Sequence, residues 1–380
     1  MVELLWDNKK EMLEKVNSED FLKTDKHFEY DKDGSKNFNT TENLYIEGDN
    51  LDALKLLKKD YNNKIKMIYI DPPYNTERKF IYNDTFRNKR KKECRHSGWI
   101  NMMYPRLKLA RDLLRDDGVI FISIDDNEVD NLKKVCNEIF GENNYLNQIV
   151  WQRNSSGKTV SKNLIVNIEY MLIYSKSYNY NFNPIYKPLA EATVKMYSKD
   201  DNDGRGKYRL YPLQKTSSPG PETTYDYVDN NGKVWKCPAK GWRMNKHKLK
   251  LLENDGRLCL ENDSLSEKAY WNERASHGKL ADTLWSDMPE NNVGTSEVSS
   301  LFDKVPVFNN PKPTQYLMRL LKMQTQKNNN DIILDFFSGS SSTAHAVMQL
   351  NSEDGGNRKF IMVQLPEETD EKSEARKAVY

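Results

Sequence analysis

Ile65-Lys66-Met67-Ile68-Tyr69-Ile70-Asp71-Pro72-Pro73-Tyr74-Asn75 is the stretch whose reading decides the fold. Residues 65–70 form an apolar, β-branched run that stops abruptly at Asp71-Pro72-Pro73. Two consecutive prolines cannot continue a central strand, so Asp71 sits where a buried strand gives way to a loop. In doubly wound sheets that is where ligands bind.

Outward from this stretch, strands alternate with helices. Upstream, Leu44-Tyr45-Ile46 reads as a short strand, Gly48-Asp49-Asn50 as an acidic turn, and Leu51, Leu54, Leu56 and Leu57 as one side of a helix. Downstream, a helix is predicted from Ile100 to Arg115, a strand from Val119 to Ile124, and a helix ending at Phe140 behind the Asp125-Asp126-Asn127 cap. Strands are expected at Ile149–Gln152 and Tyr170–Tyr174. From about 178 the texture changes: Tyr, Trp, Gly, Pro and Lys dominate and helical periodicity is weak outside Lys246–Leu252. After Pro311-Lys312-Pro313 the alternation returns, with a helix at Tyr316–Gln324, a strand at Ile332–Phe336, a glycine/serine turn, a helix to Leu350 and a strand at Lys359–Gln364.

This pattern predicts an α/β fold with a parallel, doubly wound sheet. A nucleotide-type glycine turn normally follows the first strand of such a domain. Here it lies near the C-terminus, so the Rossmann-like domain reads as circularly permuted, with the irregular module inserted between its halves. The expected divisions are a polar, partly helical extension over 1–43, a catalytic half over 44–177, the module over 178–290 and a second half over 291–380.

The 380 residues are 37% hydrophobic and 30% charged, which fits a globular protein, and the longest apolar runs are far too short to span a bilayer. No signal peptide follows Met1, so a cytoplasmic location and no membrane partner are expected. The four cysteines are widely spaced without a C-x-x-C pair, so no metal site is expected. A net charge of +2 says little about nucleic acid. The basic run Arg87-Asn88-Lys89-Arg90-Lys91-Lys92 and the lysines between Lys240 and Lys250 point to phosphate contacts only beside a site that needs a polyanion.

Three constellations carry chemistry. In Asp71-Pro72-Pro73-Tyr74, a carboxylate and a carbonyl fixed by the stiff turn can accept both N–H groups of an exocyclic aromatic amine. That draws the nitrogen toward tetrahedral geometry and restores its nucleophilicity, while Tyr74 can stack on the ring. The bland alternative is a proline-stiffened turn with a capping Asp. In Asp335-Phe336-Phe337-Ser338-Gly339-Ser340-Ser341, a strand runs through a turn into a helix, exposing backbone N–H groups suited to a carboxylate. It has no lysine and is not a P-loop; a plain N-cap is the alternative. Asp49 and Glu367, each just past a strand, suit ribose hydroxyls or an adenine amine, or equally an N-cap.

Together these pieces resemble the amino-methyltransferase signature pair. Their order, catalytic motif first and cofactor motif last, is that of the β-class of DNA amino-methyltransferases. Asp71 to Asp84, Phe308 to Pro313 and Asp335 to Glu367 further resemble the modification subunits of type III restriction-modification systems. The resemblance implies S-adenosyl-L-methionine as methyl donor and double-stranded DNA as substrate, with N6 of a flipped adenine as target. Asp71, Pro72, Pro73 and Tyr74 would surround the target base. Phe336 and Gly339 would line the methionine moiety, Asp335, Phe337 and Ser338 of the same turn would also bind the cofactor, Asp49 would lie by its adenine, Glu367 by its ribose, and Lys312 in the segment against the methionine end. The module would be the target-recognition domain, with Trp242, Arg243, Lys246 and Lys248 contacting DNA.

Two departures stand out. Many relatives have a second glycine where Ser341 stands. The chain also ends at Tyr380 within a helical run, where type III relatives continue, which suggests a truncated form or a split reading frame and bears on whether it forms a homodimer or meets a restriction (Res) subunit. N4-cytosine methylation, favoured by Ser in place of Asp71, and a DNA-recognition subunit acting mainly by binding are the alternatives.

Overall fold

The computed structural model describes residues 5–17, 40–76, 95–155, 164–187, 189–218, 220–261, 264–275, 278–366 and 376. The chain divides into two compact units, one made of Met1–Ile185 and Asp282–Tyr380, the other of Tyr186–Ala281.

The first unit is built on an eight-stranded sheet. Its strands in chain order are β1 (Leu44–Glu47), β2 (Ile65–Ile70), β3 (Leu114–Ile124), β4 (Tyr145–Gln152), β5 (Ile168–Ser175), β6 (Leu284–Trp285), β7 (Ile332–Asp335) and β8 (Lys359–Gln364). Across the sheet they run β1-β8-β7-β2-β3-β5-β4-β6. Every residue of β2 is buried, which follows from its central place under helices on both faces. Because side chains alternate along a strand, Ile68 and Ile70 meet one set of helices and Met67 and Tyr69 the other. The first set contributes Leu54 and Leu57, Met103 and Leu107, and Leu132 and Val135. The second contributes Tyr316, Leu317, Leu320 and Leu321 together with Ala346, Val347 and Leu350.

The sheet is mixed, not wholly parallel as the alternation suggested. β5 runs antiparallel to both β3 and β4, whereas β6 pairs parallel with β4. β4 and β5 follow one another in the chain and pair directly, and an antiparallel pair needs no crossover helix between its strands. The C-terminal ends of β2 and β7 therefore lie side by side, since these strands pair directly through Ile333↔Met67 and Leu334↔Ile68.

The second unit has its own small core of Leu213, Tyr227, Trp235, Trp242, Leu249, Leu258 and Leu265. Its main sheet is antiparallel, with Ser264–Tyr270 between Leu258–Glu261 and Tyr208–Pro212. The helix Lys246–Asn254 packs Leu249 into the core and is capped by Asn245, whose side chain accepts from Lys248 N–H. Trp242, expected at a DNA surface, is instead 3% exposed and donates its indole N–H to Tyr225 O at 2.7 Å. A fully desolvated Trp adds more to a small core than to a rim. Arg243, Lys246 and Lys248 are exposed. The basic run 87–92 lies outside the described residues.

Candidate functional site

The turn after β2 is held from three sides. Pro72 is buried, and Pro73 O accepts the indole N–H of Trp99 at 2.7 Å. Asn75 closes the turn in the left-handed region (φ 59°), which Asn tolerates better than most residues. Fully buried, it donates to Glu128 Oε1 at 2.5 Å and to Arg95 O at 3.2 Å. Glu128, also buried, is met in turn by His96 Nδ1 at 2.7 Å and Asn131 Nδ2 at 2.7 Å. The backbone at Asp71 is thus fixed by partners that never face the cleft.

Asp71 itself is surrounded by charge. Tyr74 donates its hydroxyl to Asp71 Oδ1 at 2.7 Å and lies 3.2 Å from Glu169 Oε2. Lys312 Nζ lies 2.8 Å from Asp71 Oδ2, 3.2 Å from Glu169 Oε2 and 3.1 Å from the Tyr74 oxygen. Arg153 holds the other Glu169 oxygen at 3.0 Å. Burial works against the Lys312 ammonium, but Asp71 and Glu169 outweigh it and hold its pKa above the usual lysine value. Burial, reinforced by Asp71 and Glu169, pushes the Tyr74 phenol well above its ordinary value. Lys312, expected at the methionine end of a cofactor, gives its ammonium to these two carboxylates.

Lys312 is delivered to this place by backbone packing. Gly294, in the helix Asn291–Ser300, lies so close to the Pro311–Lys312 backbone that a Cβ would stand 2.1 Å from Pro311 O. One turn on, Glu297 Oε2 accepts from Thr314 N at 2.8 Å and from Thr314 Oγ1 at 2.7 Å.

The turn after β7 is built from neutral donors. Phe337 N–H donates to Asp335 Oδ1 at 3.0 Å and the Thr343 hydroxyl to Oδ2 at 2.6 Å. Burial pushes the Asp335 carboxyl up to about 7 despite both hydrogen bonds. Gly339 takes φ 51°, its N–H donates to Gln364 Oε1 at 2.7 Å, and a Cβ there would stand 3.0 Å from the Phe308 ring. Ser341 takes φ 58° and ψ 27°, a left-handed conformation that costs a non-glycine residue about 1 kcal/mol. The Ser338 hydroxyl is buried and has no hydrogen-bond partner among the described residues.

Asp49 caps the helix Asn50–Tyr61 through Leu51 N–H at 2.8 Å and receives Arg106 at 3.2 Å. Asn50 ties the start of this helix to the turn after β7 by donating to Phe336 O at 2.8 Å.

One cleft of about 700 Å³ collects Asp49, Asp71, Pro72, Pro73 and Tyr74 with Lys312, Asp335, Phe336, Phe337, Ser338 and Gly339. That volume is in the range of ligand sites. Glu367 lies outside the described residues; Leu365 and Pro366, just before it, line the cleft. Glu169, Arg153, Arg106 and Asn291 also reach it, and the sequence reading named none of them. A lone carboxylate in the apolar run of β5 was the one available signal for Glu169.

The family model described as DNA methylase (N6_N4_Mtase) matches residues 65–374. The StyLTI Mod subunit of a type III restriction-modification enzyme from Salmonella typhimurium is 35% identical over 89% of this chain and 54% of its own length. The EcoP15I Mod subunit from Escherichia coli is 32% identical over 90% of this chain and 61% of its own. The type II methyltransferase M.KpnI from Klebsiella pneumoniae is 32% identical over 89% of this chain and 85% of its own. The chain thus spans little more than half the length of the type III relatives.

Proposed function

The chain belongs to the DNA methylase family, and from that premise we propose that it transfers a methyl group from S-adenosylmethionine to the N6 amine of an adenine flipped out of double-stranded DNA. One observation carries this reading: the Asp71 carboxylate and the Asp335–Ser341 turn open into one cleft at neighbouring strand ends.

The cleft fits the methyl donor chemically. Asp335 and Asp49 offer acceptors for an ammonium and for hydroxyl or amine groups, Ser338 has a buried hydroxyl with no hydrogen-bond partner among the described residues, and Phe336, Phe337 and Val363 supply apolar walls. When bound, S-adenosylmethionine supplies an electrophilic methyl group on a sulfonium centre.

The chain's own residues would prepare the amine. Asp71 accepts one N–H. The Pro73 carbonyl is already engaged by Trp99, so Pro72 O is the turn carbonyl assigned to the other. Two acceptors localise the lone pair on nitrogen, and a low-dielectric site strengthens both bonds. On taking the methyl group the amine would shed one proton, and Asp71, already accepting one of its N–H groups, would be the residue to receive it. The Tyr74 ring stacks on the flipped base, contributing about 1–3 kcal/mol. No metal is required.

The names of the type III relatives support a place in a restriction-modification system. A homodimer and a Res partner belong to the same proposal, as does DNA contact by Arg243, Lys246 and Lys248 in the second unit.

The test is to incubate the chain with unmodified DNA and methyl-labelled donor, digest to nucleosides and weigh them. N6-methyldeoxyadenosine is expected. N4-methyldeoxycytidine would overturn the adenine assignment, and no labelled nucleoside would overturn the reading as a whole.

A further inference from the structure

Lys312 is the most buried cation at the site, its side chain 6% exposed, and it touches two carboxylates at once. We propose that Lys312 is a positioning residue for methyl transfer: anchored by Glu169, it holds Asp71 as an acceptor aimed at the target amine while touching neither base nor methyl donor. This rests on the function proposed above.

The geometry gives the reason. Asp71 has one oxygen on Lys312 and the other under the Tyr74 hydroxyl. For a target amine to be accepted, one of these donors must give way. Tyr74 has an alternative, Glu169 Oε2 at 3.2 Å, so its hydroxyl can turn there without stranding a buried donor. Lys312 has no such freedom, because its ammonium already spans Asp71 and Glu169 and its backbone is pinned against Gly294. Lys312 therefore fixes Oδ2 while Oδ1 becomes available. Held charged between two carboxylates, its ammonium is not suited to act as the base.

The surrounding groups sharpen the expectation. Arg153 after β4 balances Glu169, Asp125 after β3 adds a carboxylate near both, and Tyr69, Tyr316 and Asp335 face the cluster from β2, the helix Thr314–Gln324 and β7. Without Lys312, Asp71 and Glu169 would face one hydroxyl with no cation between them. Two carboxylates brought to one donor repel, which favours taking up a proton.

The experiment is the pH profile of kcat for the parent chain, Lys312→Met and Lys312→Arg, with donor binding followed by calorimetry. Lys312→Met is expected to bind donor like the parent, to lose about 100-fold in kcat near neutrality, and to move the acid limb upward by a unit or more. Lys312→Arg, keeping the cation, is expected to return the limb to the parent's position and recover most of the rate. A uniform loss at every pH, or equal impairment of both variants, overturns the proposal. If Lys312→Met does not fold, Glu169→Gln decides. It removes the anchor and the repulsion together, so a fall in kcat with an unmoved limb supports the role, and an upward limb overturns it. Absence of transfer by the parent chain overturns the function on which this rests; an unmoved limb in an active Lys312→Met overturns only the role of Lys312.

Discussion

The turns after β2 and β7 begin alike and end differently. Each starts with an aspartate at the C-terminal end of a buried parallel strand, and the two strands are neighbours. Asp71 is set among Lys312, Tyr74 and the Glu169–Arg153 pair. Asp335 is met by a threonine hydroxyl and a backbone N–H, and burial raises its carboxyl to about 7. A strand end thus fixes where a carboxylate stands, and its neighbours decide what it can do. Compensating cations suit Asp71 to accept hydrogen bonds in a reaction, and neutral donors make Asp335 a gauge of the cleft's dryness.

The comparison breaks most visibly at Asp71. Asp71→Ala is expected to lower kcat about 10³-fold while donor affinity, measured by calorimetry, changes little. A near-parental rate would mean that the charged turn is not the reacting one.

Asp335→Asn tests the other side. The folded chain holds the Asp335 proton between about pH 4 and 7, where the unfolded chain has released it, so stability falls as pH rises through that window. The loss is on the order of 3 kcal/mol. Urea unfolding at pH 5 and pH 8 should show this slope in the parent and a flatter one in the Asn variant. Identical slopes would show that Asp335 is not the titrating group.

Gly339→Ala sharpens the contrast by touching only the neutral turn. Its Cβ would crowd Phe308 at a φ of 51°, so donor binding should weaken about tenfold, roughly 1–2 kcal/mol of strain. Transfer at saturating donor should persist. An equal loss in kcat would indicate that the two turns act as one.

The smallest effect is expected at Ser341. Glycine relieves the left-handed strain there but adds freedom to the unfolded chain, leaving a gain of about 0.5 kcal/mol. A lower Tm in Ser341→Gly would show that the serine side chain contributes more than its backbone costs.

Both turns were legible in the sequence because each is local: a strand, a breaker and a few polar residues in a row. The direction of β5 was not, since periodicity gives a strand's faces but not its sense. Glu169, Arg153 and Asn291 escaped because they reach the cleft from separate elements, without a motif among them. Lys312 was named, but its neighbour Glu169 lies 143 positions away in the chain, and only folding shows which carboxylates an ammonium meets. Trp242 was misplaced because the resemblance assigns its module to DNA, whereas the ring is claimed by the module's own small core.

Gly294 carries a consequence for how genetic variation in this chain should be interpreted. It faces no reacting group, yet the carbonyl of Pro311 occupies the space a methyl group would need. Any side chain there would shift the segment bearing Lys312, and with it the charge balance around Asp71. A mutational screen scored by activity is expected to flag Gly294 beside Asp71. Its intolerance would measure a missing atom on a scaffold helix, and a suppressor should be sought in the 305–313 segment before it is sought at Asp71.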